Sequence, residues 1–311
     1  VRRSTYRRAA LTLAGAVLAL ATGCSAVGSG GTGGGTLGWP SKNPATWLAA
    51  AHVVVATELA DRAGSLTVLS GPDPSALSAS RLVTGAPGHY LAPTSASADG
   101  THVLVNASTP VRDSTGQVWE VALQDGSARR LGADLGELAD GVYLPGGAVL
   151  AVQRGDSGDA LVELTGTTHR TVLRVPPGST LATPVVLGDG IYVVVAQDGA
   201  SVLRLVDLRS GTAAPVPSAP KGPVRLAVAG AQLLVTYDGD AGPQTVLWSP
   251  GAAATTDLGV AGPVGASPDG RTALATTPGT ESGIDVVHLA ARQPTRRELP
   301  SLVLANPVWV R

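Results

Sequence analysis

The sequence predicts an all-β fold and, within that class, a β-propeller. Three observations carry this. A strand–turn–strand pattern recurs at spacings of about 40 to 49 residues, the length of one four-stranded propeller blade. Glycine and proline are abundant, 40 and 23 of 311 residues, so turns are frequent and long helices are disfavoured. There is no Phe or Met and aromatics reach only 3%, so a core drawn from 44% hydrophobic residues must be built of Val, Leu, Ile and Ala. The β-branched share of that core favours strands.

The clearest repeat pairs Ser97-Ala98-Asp99-Gly100-Thr101-His102-Val103-Leu104-Val105 with Ser267-Pro268-Asp269-Gly270-Arg271-Thr272-Ala273-Leu274-Ala275. Degenerate copies lie at Leu144–Leu150, Leu187–Val193 and Val228–Leu234, and an opening copy without the turn at Ala51–Val55. Each copy reads as strand, tight turn, strand, with Asp-Gly expected in a type I′ turn. A third strand follows, as at Gln117–Leu123, Ala160–Leu164, Ser201–Leu208, Gln244–Trp248 and Gly283–Leu289. A shorter fourth comes after it, as at Arg129–Leu131, Thr171–Val175 and Arg296–Leu299. The units run approximately 45–87, 88–133, 134–178, 179–220, 221–259 and 260–300. That gives six blades, with seven the alternative if residues 39–87 hold more. One blade alone leaves an apolar face bare, and stacking in a ring buries it. Asn306-Pro307-Val308-Trp309-Val310 reads as one further inner strand. It is expected to join the first blade and close the ring, since an open ring leaves exposed edges.

The N-terminal segment carries a different signal. Residues 2–8 are basic and residues 9–22 are small and apolar, the pattern of a signal peptide and too short for an ordinary transmembrane helix. The run ends in Leu20-Ala21-Thr22-Gly23-Cys24. This resembles the bacterial lipobox, departing from it at Ala21, where Leu is usual. The resemblance implies a signal peptide over 1–23, lipid on the thiol of Cys24, and stable anchoring by two acyl chains. A free thiol in an ordinary secreted protein is the alternative. Cys24 is the single cysteine, so no intramolecular disulfide forms. Tyr6-Arg7-Arg8-Ala9-Ala10-Leu11 resembles a twin-arginine export signal, with an ordinary basic leader as the simpler reading. Residues 24–44 hold the lipidated cysteine and a Gly/Ser-rich tether spanning about 20 Å as a coil. Residues 45–311 form the propeller. Loss of the leader removes Arg2, Arg3, Arg7 and Arg8 from a chain of 22 basic and 23 acidic residues. The mildly acidic remainder lacks the basic stripe that nucleic acid requires.

The Ser-x-Asp-Gly turns, each followed by an apolar strand, resemble the TolB-type, WD-repeat-like propellers over about 260 residues. They are also similar to the propeller half of the actinobacterial LpqB lipoproteins. The resemblance implies a fold and an interaction role and transfers no catalytic residue.

Other constellations have simpler readings. Gly155-Asp156-Ser157-Gly158-Asp159 and Ala50-Ala51-His52 resemble the nucleophile and histidine motifs of chymotrypsin-like proteases. A triad needs them together with an orienting Asp and an oxyanion hole. The repeat instead places Ser157 in a blade-three loop and His52 at a strand start in blade one. His52, His89, His102, His169 and His288 lack metal-ligand spacing. Asp238-Gly239-Asp240 reads as a hairpin rather than half a calcium loop. Asp99 and Asp269 are expected to bond their own turn backbones, and Trp39, Trp47, Trp119, Trp248 and Trp309 to pack between blades. No catalytic, cofactor-binding or metal-binding residue is assigned, and Cys24 is the one site residue. The expected function is a non-catalytic platform in the cell envelope. It is lipid-anchored on the extracytoplasmic face and docks an envelope protein or cell-wall ligand. A propeller hydrolase or lactonase, and a sensory accessory to a membrane kinase or transporter, are the alternatives.

Overall fold

The computed structural model describes residues 50–60, 63–74, 76–83, 90–108, 116–239, 242–260, 264–275, 283–291, 293–298 and 304–310. The chain divides into two units, Val1–Gly38 and Trp39–Arg311, and every described residue lies in the second. The expectations for Cys24, Trp39, Trp47, His89 and Asp240 fall outside the described residues.

The described residues form β-strands and turns only, in six four-stranded antiparallel sheets. Blade one contains β1 (His52–Ala60), β2 (Ala63–Gly71) and β3 (Ser78–Val83). Blade two is β4 (Tyr90–Ala96), β5 (His102–Ser108), β6 (Gln117–Ala122) and β7 (Ala128–Arg130). Blade three is β8 (Leu138–Tyr143), β9 (Val149–Gln153), β10 (Ala160–Thr165) and β11 (Thr168–Arg174). Blade four is β12 (Thr180–Leu187), β13 (Gly190–Gln197), β14 (Ala200–Asp207) and β15 (Thr212–Pro215). Blade five is β16 (Pro223–Ala229), β17 (Gln232–Gly239), β18 (Gly242–Trp248) and β19 (Thr255–Asp257). Blade six is β20 (Val264–Ala266), β21 (Thr272–Ala275), β22 (Gly283–His288) and β23 (Gln293–Glu298). The last strand, β24 (Leu304–Trp309), returns to blade one and pairs with β1, with Val54 opposite Trp309 and Glu58 opposite Leu304. The amide of Val310 extends this ladder to the Val53 carbonyl at 2.8 Å. Six blades and closure by the C-terminal strand agree with the sequence expectation.

The core lies between blades, because both faces of each sheet are covered. In β17, Leu233 and Val235 pack with Tyr192 and Val194 of blade four, while Leu234 between them packs with Ala273 and Val287 of blade six. In β13, Ile191, Val193 and Val195 face Leu150, Val152 and Leu161 of blade three. Two-sided burial explains why the second strands read as nearly unbroken apolar runs rather than alternating ones. Trp248, with 1% of its surface exposed, and Trp309 belong to these interblade clusters, as expected.

The turn geometry corrects one expectation. In Ser97–Gly100 only Gly100 has positive φ, at 67°, and its amide bonds the Ser97 carbonyl at 2.9 Å. This is a type I turn followed by a left-handed glycine, not type I′. Ser267–Gly270 repeats it, with Gly270 at φ 68°. The serine hydroxyl explains the choice. Ser97 Oγ accepts the amides of Thr101 and His102, at 3.2 and 2.9 Å, and so needs the longer loop. A two-residue Asp-Gly hairpin with both φ positive occurs instead at Asp198-Gly199, between β13 and β14.

Candidate functional site

β4, β8, β12, β16, β20 and β24 contact one another around the ring, and each is the first strand of its blade's sheet order. They line the channel. Each receives the chain from the outermost strand of the preceding blade, so all begin at one end of the ring, here the entry face. The turns bearing Asp99 and Asp269 lie on the opposite face.

Five of these inner strands carry an extra residue against their neighbour. The register slips at Pro93/Ser95, Ala139/Val142, Ala182/Val185, Pro223/Arg225 and, in β24, between Ala305 and Val308. Such bulges bend the strand and re-aim side chains. Three hold a non-glycine residue in the left-handed region: Asp140 at φ 51°, Thr183 at φ 43° and Asn306 at φ 50°. That conformation is uncommon for any L-residue and an outlier for a β-branched one. It costs about 1–3 kcal/mol per residue and persists where the surroundings over-determine it. Prolines within these strands are tolerated because the channel-facing edge has no ladder to complete.

The bulges bring together polar side chains that the sequence scatters. Asp140 of blade three accepts the Asn106 side-chain amide of blade two at 3.2 Å and the backbone amide of Thr183 of blade four at 3.2 Å. Its own amide donates back to Asn106 Oδ1 at 3.0 Å. Arg154 stands 3.7 Å from Asp140, pairs with the buried Asp159 and donates to the Leu181 carbonyl at 2.6 Å. Asp159 also accepts the Leu181 amide at 2.9 Å. Across the channel, Arg225 of blade five donates to Asn306 Oδ1 of blade one at 2.6 Å. The Asn306 side-chain amide donates to the Tyr90 hydroxyl of blade two at 2.8 Å. Thr57 hydrogen-bonds that phenol and donates to the Leu91 carbonyl at 2.8 Å. Blades five and one are not neighbours in the ring, so the Arg225–Asn306 bond crosses the channel in front of β20. That strand offers only Val264, Gly265 and Ala266, and Gly265 is required there. A Cβ on it would meet the Pro307 carbonyl oxygen at 2.2 Å.

The electrostatics follow from enclosure. Arg225 keeps some contact with channel water, yet protein surrounds it, and desolvation draws its pKa below the ordinary value while Asp140 and Tyr90 act in the opposite sense. Burial pushes the Tyr90 phenol up. Taking an ion partly out of water without a counter-ion in contact costs several kcal/mol, so Arg225 is the least compensated charge of the cluster. The Thr183 hydroxyl is buried without a partner.

The residues singled out in the sequence lie elsewhere. Ser157 is exposed in the β9–β10 hairpin at the entry face, and His52 opens β1 at the other face, edge-on to the Trp309 ring at 6.0 Å. The protease-like motifs are therefore not brought together. Asp99 and Asp269 bond their turns, as expected. The Ser97 hydroxyl, then the Thr101 hydroxyl and amide, hold Asp99 down at about 2. Asp269 is lowered first by Ser267 and then by the Arg271 amide. No cluster of His, Cys, Asp and Glu able to hold a metal is found among the described residues. An open depression of about 920 Å³ lies on the outer side near Arg170, Leu205 and Asp207. Arg170 there is already paired with Glu163, and nothing converges on it as the five blades converge on the channel. Sequence reasoning missed Tyr90, Asn106, Asp140, Arg154, Thr183, Arg225 and Asn306. No short motif marks the set: the Ala-x-Pro triplets that hold Thr183 and Asn306 also occur at 213–215, 241–243, 261–263 and 266–268, away from these residues.

No family model matches the chain, and no curated protein matches it. Among solved structures, the fold is similar to TolB from Acinetobacter baumannii, with TM-score 0.63 at 12% identity over 83% of this chain and 66% of that one. It is similar to a putative TolB from Agrobacterium tumefaciens, with TM-score 0.51 at 14% identity over 76% of this chain and 83% of that one. A chain of a nidogen/laminin complex matches with TM-score 0.61 at 11% identity, over 84% of this chain and 98% of its own length. Likeness at such identities speaks for architecture alone. The molecule is a six-bladed, closed β-propeller, and TolB proteins are among the solved structures that share its fold.

Proposed function

We propose that this chain is a lipid-anchored extracytoplasmic lipoprotein whose propeller serves as a non-catalytic docking platform in the cell envelope. In this reading the leader is cut before Cys24, lipid on that cysteine holds the chain to the membrane, and residues 25–44 form the tether. The entry face of the channel receives an envelope protein or a cell-wall ligand. The observation that carries the docking role is the convergence of polar groups from five blades on one end of the channel, around a guanidinium that has no carboxylate in contact among the described residues. Pockets with a few convergent polar groups are where ligands are held. Docking also suits the fold, since one similar chain comes from a complex of two proteins.

The test is fractionation and cross-linking in intact cells, comparing the wild type with Cys24→Ala. The wild type is expected in the membrane fraction with one envelope component captured, and Cys24→Ala in the soluble or secreted fraction with capture lost. Equal membrane association of both would overturn the anchor. Absence of specific capture by a membrane-bound wild type would overturn the platform.

A further inference from the structure

We infer that Arg225 makes the entry-face end of the channel a binding site for a carboxylate, such as a chain end or an acidic group of the docked partner. The inference rests on the platform reading and names what the platform grips.

The argument starts from donors. A guanidinium presents five N–H groups in a planar fork that matches a carboxylate. Among the described residues, Arg225 uses one nitrogen, Nη1, on the neutral side-chain oxygen of Asn306. Some arginines on the blade surfaces are ion-paired. Arg81, Arg129 and Arg170 each pair with a glutamate. The nearby acids are committed elsewhere: Asp140 to Asn106, the Thr183 amide and Arg154, and Asp159 to Arg154 and the Leu181 amide. Arg225 is thus a channel cation with free donors and no carboxylate in contact.

Its position is fixed beforehand. Asn306, held in a bulge at φ 50°, takes the arginine on its oxygen and passes its own donors to Tyr90, which Thr57 steadies in turn. Preorganisation of this kind lowers the entropy lost on binding. Arg225 is half-buried and keeps contact with channel water, so a ligand can reach it. A singly charged group suits the site better than phosphate, because Asp140 lies close enough for Arg225 to feel its charge, and a dianion would be repelled more strongly.

The test uses the full chain purified in detergent, titrated with acetyl-Gly-Gly labelled at its carboxylate carbon and followed by NMR. The C-terminal amide of the same peptide and inorganic phosphate are parallel titrants. The free acid is expected to bind saturably at one site, with the amide and phosphate weaker by about tenfold or more. Arg225→Gln should weaken the acid by a similar factor, and Arg225→Lys should fall between. Should Arg225→Gln fail to fold, Asn306→Asp puts a competing carboxylate on the arginine, in a conformation Asp tolerates, and should abolish acid binding. The inference is overturned if the folded wild type binds no acid, if the amide or phosphate binds as well as the acid, or if Arg225→Gln or Asn306→Asp binds it undiminished. Failure here with capture intact in cells removes the carboxylate site and leaves the platform. Acid binding without capture does the reverse.

Discussion

Asp140 adopts a backbone conformation that few non-glycine residues accept, and its carboxylate joins three blades at once. Removing it strands the Asn106 amide, the Thr183 amide and one side of Arg154. Asp140→Ala is therefore expected to destabilise the protein by about 2 kcal/mol, the scale of lost hydrogen bonds to a charged group, as measured by denaturant unfolding. Asp140→Gly would relieve the backbone strain while losing the same bonds, so it should cost less than alanine does. The turn aspartates act differently. Asp99 titrates at about 2 when folded, against an ordinary value of about 3.9. A depressed carboxylate contributes stability that is complete above the unfolded pKa and is lost as pH falls through the folded one. Asp99→Ala should lower the thermal midpoint at pH 7, and the gap to wild type should narrow from about pH 4 and close below about pH 2. A gap that stays undiminished down to about pH 2 would assign the effect to something other than the ionised carboxylate.

At the scale of the strand, the inner and outer elements of each blade were unequally legible in the sequence. The second and third strands announce themselves, because burial on both faces forces runs such as Val53-Val54-Val55 and Val193-Val194-Val195. The Ser-x-Asp-Gly turns were visible for a local reason, since serine and aspartate bond only residues within five positions of themselves. The inner strands were harder. Their channel residues are single polar positions in Tyr90–Ala96, Leu138–Tyr143, Thr180–Leu187, Pro223–Ala229 and Leu304–Trp309, and their partners lie tens to hundreds of residues away. The Asn306–Tyr90 bond spans 216 positions. Nothing local marks Arg225 as different from the arginines on the surface. Close packing of inner strands gives a further prediction. Gly265→Ala places a methyl 2.2 Å from the Pro307 carbonyl oxygen, where only backbone could yield. It should cost about 1–3 kcal/mol or more, whereas Gly155→Ala, whose nearest neighbour is 3.6 Å away, should stay within about 0.5 kcal/mol.

For the whole molecule, closure by β24 ties residue 309 to residue 54 and supplies the innermost strand of blade one. It also delivers Asn306 to the channel, so the ring and the candidate site are completed by the same segment. Removing residues 304–311 should expose an unpaired edge on β1 and strip Leu304 and Trp309 from the blade-six interface. The expected outcome is broadened unfolding or aggregation, seen by calorimetry and light scattering, and retention of a sharp wild-type transition would argue against closure. The most direct test of the docking account uses the two ends of β16. A photo-cross-linking residue is placed either at exposed Lys221, leading into β16 at the entry face, or at exposed Ala231, in the turn beyond its far end. In intact cells the account predicts capture of an envelope component from position 221 and not from 231. Capture from 231 alone, or equal capture from both, would contradict it.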